Sequence, residues 1–457
     1  MTKIFLSAPS DQPWQVAQES WFQQPGLVEW SNFDLNLAQA IAQQEDIQIL
    51  ALGYEPQLRR KLNQSGFLQV PLTSIFDQIQ GCSDHDSRLL DFKDLTWDFP
   101  ARLVFTPFQV LVYEDALLRA KVDLGQSGQI IKVSHLEAGI ILKEEVYDDR
   151  GFRSSVVYFK DGHPHYQEFL TPVGDWVLSL DAGSGLIQVS PTYQDRFKNS
   201  SYKYLDSLIK EYLDLNLTPY QTADQLLIQD HPSYDRLGFN FPLAKCSKVL
   251  ICQDRLPGLL LMESVDVLET NQIHLAQEMK TIWPHLSPKI HLRASLDSRL
   301  PLGKSQEEEK NTIYLKSPLD SPYLEQVFRW VRSQENLHIL LDCYQSNMEE
   351  VTAIEDPLVE KQLFQKEKDL LQAMDRCRVL LDLRPNADVY LSMLALVKGI
   401  PIISLTPSVY LDHGLNGWLV EEGRGNQVQE ALEIYINDFQ AWNRSLIHSL
   451  EKRQGIQ

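Results

Sequence analysis

Hydrophobic residues follow different spacings in different parts of this chain, and each spacing predicts a different kind of structure. Near the N-terminus, short apolar runs at Lys3–Ser7 and Ile47–Leu52 flank a helix-like stretch from Phe33 to Gln44. Runs of this length suit strands that are buried on both faces of a parallel sheet, with crossover helices covering them. We therefore predict that residues 1–100 form half of a first Rossmann-like domain.

Residues 101–195 follow a period of two, in which apolar and polar positions alternate between turn signals. This alternation predicts antiparallel strands. Asp161-Gly162 lies between two such runs and is a strong signal for a tight hairpin turn. The predicted strands are Gln109–Tyr113, Leu118–Leu124, Ile130–Leu136, Ile141–Tyr147, Ser155–Phe159, Tyr166–Leu170, Trp176–Leu180 and Leu186–Val189. We expect an inserted antiparallel meander, with a solvated face that can dock a partner.

Helical and buried-strand spacings return after the meander. Residues 196–295 contain a helical stretch from about Ser200 to Leu215, followed by short apolar runs. The runs are Leu226–Ile228, Lys248–Cys252 and Lys289–Arg293. Helix-like segments are predicted around Leu259–Val267 and Asn271–Trp283. We assign residues 196–295 to the first Rossmann-like domain as its second half. The polar residues 296–311 are the predicted linker that follows it.

A second Rossmann-like domain is predicted for residues 312–425. Within it, Asp388 can cap a helix, and Gly399 can end that helix in the left-handed conformation. A long charged stretch, Glu360–Asp375, predicts another helix, and residues 426–457 predict a C-terminal helix or helix pair. The predicted fold class is therefore α/β, with two Rossmann-like doubly wound domains and the meander inserted in the first.

The acidic charge balance limits the classes of partner. The 457 residues include 62 acidic side chains and 42 lysines or arginines, which gives a formal net charge of −20 at pH 7. Such a surface disfavours nucleic acid and anionic membranes as general partners. No apolar run reaches the roughly 18 residues of a membrane-spanning helix, so we expect membrane contact only through partners.

Cysteine and motif content predicts a cytoplasmic protein without a cofactor. The five cysteines are scattered without a C-x-x-C spacing, which favours reduced thiols. Gly303-Lys-Ser305 lacks the first glycine and the flanking strand of a phosphate-binding P-loop. His163 and His165 lie at a predicted hairpin with no cysteine or carboxylate cluster nearby. We therefore predict neither a cofactor nor a metal site.

The stretch Cys377–Val420 resembles the donor-side domain of retaining nucleotide-sugar glycosyltransferases of the GT-B type. Gly399-Ile-Pro401 and Asn416-Gly417 match the Gly-x-Pro strand and the Asn-Gly turn of those enzymes. The resemblance places the family's two acidic residues at Asn386 and Leu394, and neither position is acidic. Because a leucine cannot stabilise a charged sugar transition state, we predict a transferase fold without catalytic residues.

Five polar residues of the second domain are candidates for a vestigial ligand cleft. The candidates are Lys316, Arg384, Asn386, His413 and Asn416. We expect Arg384, Asn386 and His413 on turns at the carboxyl ends of strands, where open α/β sheets bind ligands. The pattern leaves open a working nucleotide-sugar site, a cleft that holds glycan, and a surface that only packs against a partner.

Several further stretches resemble a single family. They are Ile47–Arg59, Asp91–Trp97, Phe105–Phe108 and Asp148–Ser155, the last followed by Tyr158 and Asp161-Gly162. Together with the second domain, they are similar to the first accessory secretory protein of the accessory Sec system of Gram-positive bacteria. The segment Asp148–Ser155 is the most distinctive part, since true transferases share the Rossmann pieces.

This resemblance implies a GT-B-like, non-catalytic protein with a β-sheet insertion. It implies a cytoplasmic complex with the second and third accessory secretory proteins, recruited to the inner face of the cell membrane through the secretion machinery. That machinery includes the dedicated Sec motor ATPase, and the implied cargo is glycosylated serine-rich-repeat adhesins.

Two other functions are alternatives to a scaffold that binds glycan. An active glycosyltransferase would modify the adhesins or a wall polymer, and it is disfavoured by the residues at positions 386 and 394. A partner-only subunit would have a cleft that binds nothing. In that case, substituting Arg384, Asn386 and His413 would leave glycan binding and export intact.

Overall fold

The structure is a computed structural model that describes most of the chain. The described residues are 1–7, 32–88, 90–106, 109–125, 128–232, 234, 245–252, 255–297, 299–307, 311–342, 356–364, 367–385, 388–421 and 423–456. Residues 9–30, whose polar sequence predicts a loop, lie outside them. The described residues form an α/β fold with two sheets of parallel strands and one antiparallel sheet, as the sequence predicted.

The strands and helices of the described residues have the following bounds. The strands are β1 (Thr2–Ser7), β2 (Asp46–Ala51), β3 (Leu72–Ser74), β4 (Arg102–Phe105), β5 (Gln109–Glu114), β6 (Leu117–Leu124), β7 (Ile130–Glu137), β8 (Ile140–Tyr147), β9 (Arg153–Lys160), β10 (His163–Leu170), β11 (Trp176–Asp181), β12 (Ile187–Val189), β13 (Ser201–Tyr202), β14 (Gln225–Gln229), β15 (Ser247–Cys252), β16 (Val267–Thr270), β17 (Ile290–Leu292), β18 (Asn311–Lys316), β19 (Leu337–Asp342), β20 (Val359–Gln362), β21 (Cys377–Asp382), β22 (Ile402–Ser404) and β23 (Gly417–Leu419). The α-helices are α1 (Asn32–Ala42), α2 (Leu58–Gln64), α3 (Ile75–Gln80), α4 (Leu205–Leu217), α5 (Leu259–Ser264), α6 (Ile273–Ile282), α7 (Leu324–Arg332), α8 (Glu367–Arg376), α9 (Val389–Lys398), α10 (Gly425–Asn437) and α11 (Phe439–Ile456).

The first sheet has seven strands in the order β17-β16-β15-β14-β1-β2-β3. β1 pairs in parallel with β2 on one side and with β14 on the other. The strand order reverses between β1 and β14, which is the arrangement of a doubly wound sheet. Apolar side chains of β1, such as Ile4 and Phe5, are fully buried, as expected for a strand covered on both faces.

The antiparallel sheet has ten strands that follow the chain order from β4 to β13. The predicted hairpin turn at Asp161-Gly162 is confirmed, because its φ angles of 53° and 78° are both left-handed. Two left-handed central residues give the turn that matches the twist of paired strands. Residues of the segment before β4, including Phe92 and Trp97, pack against a small core on one face of this sheet.

The second parallel sheet has six strands in the order β20-β19-β18-β21-β22-β23. β18 pairs in parallel with both β19 and β21, so that Lys316 lies opposite Asp382 at the end of the pair. Helices α7 and α10 contribute apolar side chains such as Phe328 and Leu432 to the core on one face. The core side chains of β18 and β21 are fully buried.

The two predicted signals that bound helix α9 are confirmed. The Asp388 side chain accepts a hydrogen bond from the Leu391 amide at 3.0 Å, which caps the first turn. Gly399 ends the helix in the left-handed conformation with a φ of 70°. A Cβ at Gly399 would also lie 2.2 Å from the Leu446 side chain, so the position favours glycine for space as well.

Two predictions about elements were wrong. The helix predicted over Glu360–Asp375 includes β20 (Val359–Gln362), and the helix itself begins only at Glu367. β20 is the outermost strand of its sheet, so its charged residues are tolerated beside solvent. These charged residues interrupt the alternation of apolar and polar positions that would identify a strand from sequence. The helical segment predicted around Leu259–Val267 ends at Ser264, and Val267–Thr270 forms the unpredicted strand β16. A four-residue strand in which only Val267 and Leu268 are apolar shows no clear periodicity of its own.

The predicted linker, residues 296–311, packs closely where it is described. Leu296 and Asp297 are buried, although the surrounding sequence is polar. The amide of Gly303 donates to the carbonyl of Lys398 at 3.1 Å, and that of Lys304 donates to the carbonyl of Asp375 at 2.8 Å. The segment is therefore held against α8 and α9 by backbone hydrogen bonds.

Four of the five cysteines lie among the described residues, where all four are buried and none forms a disulfide. They are Cys82, Cys246, Cys252 and Cys377. Reduced, buried thiols agree with the prediction from their spacing. Within the described ranges, no helix combines the length and apolarity needed to cross a bilayer.

Candidate functional site

The carboxyl edge of the six-stranded sheet carries several charged side chains. Lys316, Asp342 and Asp382 are the last residues of β18, β19 and β21, which are neighbouring parallel strands. Arg384 follows two residues after the end of β21. Because parallel strands end at the same edge, these groups come together where an α/β sheet usually binds ligands.

Lys316 is buried and engaged by a carboxylate. Only 7% of the residue is exposed, and its ammonium group donates to Asp342, which is 4% exposed. The Tyr314 hydroxyl donates to the same carboxylate at 2.7 Å. Burial raises the pKa of Asp342, although Lys316 and Tyr314 oppose that effect. The positive charge of Lys316 is thus compensated within the protein.

Arg384 is likewise engaged by carboxylates of its own loop. Its Nε and Nη2 atoms donate to the two oxygens of Asp382 at 2.9 Å and 2.8 Å, in the bidentate geometry that arginine favours. Asp382 is 1% exposed and also accepts the amides of Arg384 and Asp388. Asp388 adds a second carboxylate 3.4 Å from Arg384.

A further group of charges adjoins this edge, and the sequence did not indicate it. Arg299 donates to both oxygens of Asp297 at 2.8 Å and 2.7 Å. The Tyr390 hydroxyl, in the first turn of α9, donates to Glu367 at the start of α8. Burial, opposed by this hydrogen bond, raises the pKa of Glu367. Asp297 and Arg299 lie in the predicted linker, where charged residues are ordinarily solvated. No sequence signal therefore distinguishes them from surface charges.

Two of the predicted cleft residues lie at the opposite edge of the same sheet. His413 and Asn416 precede β23, and the carbonyl of Asn416 accepts the amide of Ile402, the first residue of β22. The expected position of His413 at a carboxyl end was therefore wrong. β22 and β23 are parallel, so the chain must return to the amino edge before β23 can begin. Asn386, the fifth candidate, lies outside the described residues.

Asn416 closes the turn that precedes β23. It is fully buried, its Oδ1 atom accepts the Asp412 amide at 2.7 Å, and its Nδ2 atom donates to the Tyr410 carbonyl at 2.8 Å. His413 is exposed on the same turn, and its Nδ1 atom accepts the Leu419 amide at 3.1 Å. Asn416 thus has its side-chain amide committed to the backbone of its own loop.

Replacing Asn416 with alanine is expected to lower the free energy of unfolding by about 2–3 kcal/mol, because two backbone groups lose their partner. The matched control is His413→Ala on the exposed side of the turn, for which we expect a loss below about 1 kcal/mol. Urea denaturation of both variants measures the difference. Equal stabilities of the two variants would contradict the structural role of Asn416.

Leu394 is the residue at which the sequence resemblance predicts the second acidic position of the glycosyltransferase frame. It lies in α9 and is fully buried in the core. A carboxylate placed there would be surrounded by apolar side chains rather than by a ligand cleft, at a high desolvation cost.

A separate buried charge network lies where the antiparallel sheet meets α3. The Arg150 side chain is 1% exposed and donates to Asp77 at 2.8 Å and to Asp148 at 2.6 Å. It also donates to the Cys82 carbonyl at 2.6 Å. Although burial opposes the charge, hydrogen bonds to Asp148 and Asp77 raise the pKa of Arg150.

Asp149, the residue before Arg150 in this turn, has a raised pKa. Burial and the charge of Asp148 raise the pKa of Asp149 to about 7, although the Arg60 amide donates to it at 2.9 Å. Gly151 completes the turn with a φ of 85°, and a Cβ there would lie 1.9 Å from the Arg88 carbonyl oxygen. The sequence indicates only a turn here, because an arginine that follows two aspartates has the same pattern whether it is buried or lies in a solvated loop.

The carboxyl edge of the second sheet therefore has limited capacity to hold an anionic ligand. Lys316 and Arg384 each form ion pairs with internal carboxylates, and Arg299 does the same. The diphosphate of a nucleotide sugar would have to displace Asp342 or Asp382 from these cations. Removing one partner of a buried ion pair costs several kcal/mol, so the geometry disfavours such a ligand.

A protein-family comparison identifies a family that spans nearly the whole chain. The model of an accessory Sec system protein family, that of the first accessory secretory protein, matches residues 5–366 and 359–456. The accessory Sec system protein of this family from Streptococcus gordonii is 25% identical over 462 residues, which cover 89% of this chain and 86% of that protein.

Solved structures resemble this chain over its full length. A chain in the crystal structure of accessory secretory protein 1, 2 and 3 in Streptococcus pneumoniae superposes with a TM-score of 0.87 and 26% identity, covering 100% of this chain and 96% of that chain. The pneumococcal O-GlcNAc transferase GtfA, in complex with UDP and GlcNAc, superposes with a TM-score of 0.71 and 12% identity, with coverages of 100% and 96%. The fold is GT-B-like, as the sequence predicted.

Proposed function

We propose, since this chain belongs to the family of the first accessory secretory protein of the accessory Sec system, that it is a non-catalytic, GT-B-like component of adhesin export. In this proposal it acts in a complex with the second and third accessory secretory proteins and the dedicated Sec motor ATPase. The complex binds glycosylated serine-rich-repeat adhesins and delivers them for export. The protein works in the cytoplasm and reaches the membrane through the secretion machinery.

The observation that carries the proposal is the internal pairing of cations at the carboxyl edge of the second sheet. Sugar transfer from a nucleotide donor requires positive groups that stabilise the departing diphosphate. Here Lys316 is paired with Asp342, and Arg384 is paired with Asp382. Leu394, which the sequence resemblance aligns with the second acidic position of the transferase frame, is fully buried. These residues support a transferase fold that no longer performs the transfer.

The proposed partners are supported by the composition of a related assembly. The structure that resembles this chain with a TM-score of 0.87 contains accessory secretory proteins 1, 2 and 3 together. The motor ATPase and the adhesin cargo rest on the family resemblance of the sequence alone. We therefore test the partners and the chemistry by separate experiments.

The purified protein is expected to bind no common nucleotide sugar at micromolar affinity and to hydrolyse none. Titration calorimetry and a donor-hydrolysis assay with UDP-N-acetylglucosamine measure this. The pneumococcal O-GlcNAc transferase serves as the positive control in the same buffers. Micromolar binding together with donor hydrolysis would overturn the non-catalytic proposal and favour an active glycosyltransferase.

A pull-down from a strain with an intact export cluster is expected to recover the two companion accessory proteins and the motor ATPase. Recovery of none of them would contradict the assembly that we propose, whatever the result with nucleotide sugars. A second arm compares glycan binding by the wild type and by a variant substituted at Arg384, Asn386 and His413. Unchanged glycan binding and export in that variant would favour a subunit that only contacts partners.

A further inference from the structure

Arg378 occupies an irregular position at the amino end of β21. Thr312 lies opposite Cys377, and Ile313 lies opposite Val379, so Arg378 is the additional residue where the register between β18 and β21 shifts. An extra residue of this kind redirects its side chain, and such irregularities are enriched near functional sites. The side chain nonetheless stays close to the fold, since Arg378 is 6% exposed.

The guanidinium group of Arg378 is held against two aromatic rings from the first turn of α11. Its central carbon lies 3.8 Å from the ring centroid of Trp442 and 5.4 Å from that of Phe439. The two rings are stacked, with an angle of 17° between their planes. The Trp442 indole donates to the Arg378 carbonyl at 3.1 Å, which fixes the ring beside the strand. Phe439 remains 59% exposed and leaves one side of this arrangement open.

No acceptor among the described residues forms a hydrogen bond with this guanidinium. Its Nε atom is buried without a partner, and burial lowers the pKa of Arg378 to about 10. This differs from Arg150 and Arg384, which are each paired with two carboxylates. A buried cation without a counter-ion is costly, and it is unexpected in a chain of net charge −20.

Two carboxylates next to α11 already accept hydrogen bonds from other groups. Asp438, which precedes α11, accepts the amides of Gln440 and Ala441 at 2.8 Å and 3.0 Å. Asp412 accepts hydrogen bonds from His448 and Lys452 of the same helix. Neither carboxylate forms an ion pair with Arg378, so the hydrogen-bonding capacity of its guanidinium is left for a ligand.

We propose that Arg378, Trp442 and Phe439 form a binding site for an oxyanionic group, a phosphate or a carboxylate. A planar guanidinium donates to both oxygens of such a group in one plane, which a lysine cannot do. The aromatic rings hold the guanidinium flat and exclude water from one side, which strengthens its charge-assisted hydrogen bonds. The site lies roughly 20 Å from Arg384, since six residues of strand rise about 3.3 Å each.

Titration calorimetry of the purified full chain with inorganic phosphate, and separately with acetate, tests this site. We expect one saturable binding site for at least one of the two anions. Replacing Arg378 with methionine is expected to weaken that binding roughly 10- to 100-fold, the factor that corresponds to one or two charge-assisted hydrogen bonds. Tighter binding of phosphate or of acetate identifies which group the site accepts.

Two matched variants distinguish anion binding at Arg378 from a general effect of removing a positive charge. Arg376→Met removes the same formal charge from an exposed position two residues away and is expected to leave anion binding unchanged. Arg378→Lys keeps the charge but loses the planar fork, and it is expected to weaken binding by an intermediate factor. Circular dichroism confirms folding, which we expect in Arg378→Met because an apolar side chain replaces an unpaired buried cation.

Thermal unfolding supplies a second measurement that does not depend on heats of binding. Phosphate or acetate is expected to raise the unfolding midpoint of the wild type relative to chloride at equal ionic strength, and not that of Arg378→Met. The proposal is overturned if the wild type binds neither anion saturably. It is equally overturned if Arg376→Met and Arg378→Met lose binding to the same extent.

Discussion

Replacing Arg150 with methionine is expected to lower the free energy of unfolding by about 3–5 kcal/mol, because it leaves the buried carboxylate of Asp148 without its cation and Asp77 with Arg59 alone. Asp77 and Asp148 both bond to this guanidinium, and neither is more than 10% exposed in its side chain. The backbone carbonyl of Cys82 loses a donor as well. Asp149, whose pKa is already raised to about 7 by burial and by Asp148, adds to the uncompensated charge.

Chemical denaturation followed by circular dichroism measures this loss. The matched control is Arg153→Met, three residues further along the same segment. The Arg153 side chain is 41% exposed and pairs with Glu145 at 3.0 Å, so its removal is expected to cost less than about 1 kcal/mol. Similar losses in the free energy of unfolding of the two variants would show that the buried network stabilises the fold no more than an exposed ion pair does.

Replacing Asp382 with leucine is expected to cost a similar amount, about 3–5 kcal/mol. Asp382 accepts four hydrogen bonds, from the Arg384 amide, Nε and Nη2 atoms and from the Asp388 amide. Its removal leaves Arg384, whose side chain is only 16% exposed, with a weaker ion pair to Asp388. The start of α9 is expected to loosen, because the loop that positions Asp388 loses its central acceptor.

Urea denaturation measures the stability of this variant, and hydrogen exchange of the α9 amides locates the change. The control is Asp388→Asn, in which the amide oxygen can still cap the helix. It removes only the ion pair at 3.4 Å, and we expect a loss within about 1 kcal/mol. Unchanged exchange in α9 of the Asp382→Leu variant would contradict the role that we assign to Asp382.

The regular elements followed from the sequence wherever burial imposes a clear period. The eight predicted strands of the antiparallel sheet are all present, from Gln109–Glu114 to Ile187–Val189. Both the capping role of Asp388 and the left-handed Gly399 were predictable, because each depends on the chemistry of one residue. Local chemistry of this kind is encoded within a few residues of the element that it bounds.

The strands that sequence analysis missed are those whose formation depends more on their position in the sheet than on their local sequence pattern. β20 is an edge strand with the charged residues Glu360 and Lys361, and it was predicted as helix. β13 has only the two residues Ser201 and Tyr202, within a stretch predicted as helical. Edge strands and very short strands are held by one neighbour, so their own sequence need not show a period of two.

The charged sites were less predictable than the fold, because ion pairing depends on which strands become neighbours. Lys316 and Arg384 were recognised as candidates from their positions after strands. Their partner Asp342 lies on β19, and nothing in the local sequence links it to Lys316. His413 was placed at the wrong edge because the number of residues between strands does not reveal where the chain crosses the sheet. Arg378 was missed because a charged residue at a strand terminus is ordinarily solvent-exposed.

The network around Arg150 also affects when the N-terminal segment can fold during synthesis of the protein. Asp77 precedes Arg150 by 73 residues, so until Arg150 leaves the ribosome the carboxylate has Arg59 but lacks its second cationic partner. At translation rates of about 5–20 residues per second, this interval is roughly 4–15 s. During that time the charge network beside α3 is incomplete, so the N-terminal segment reaches its final packing only after the first half of the meander has been synthesised.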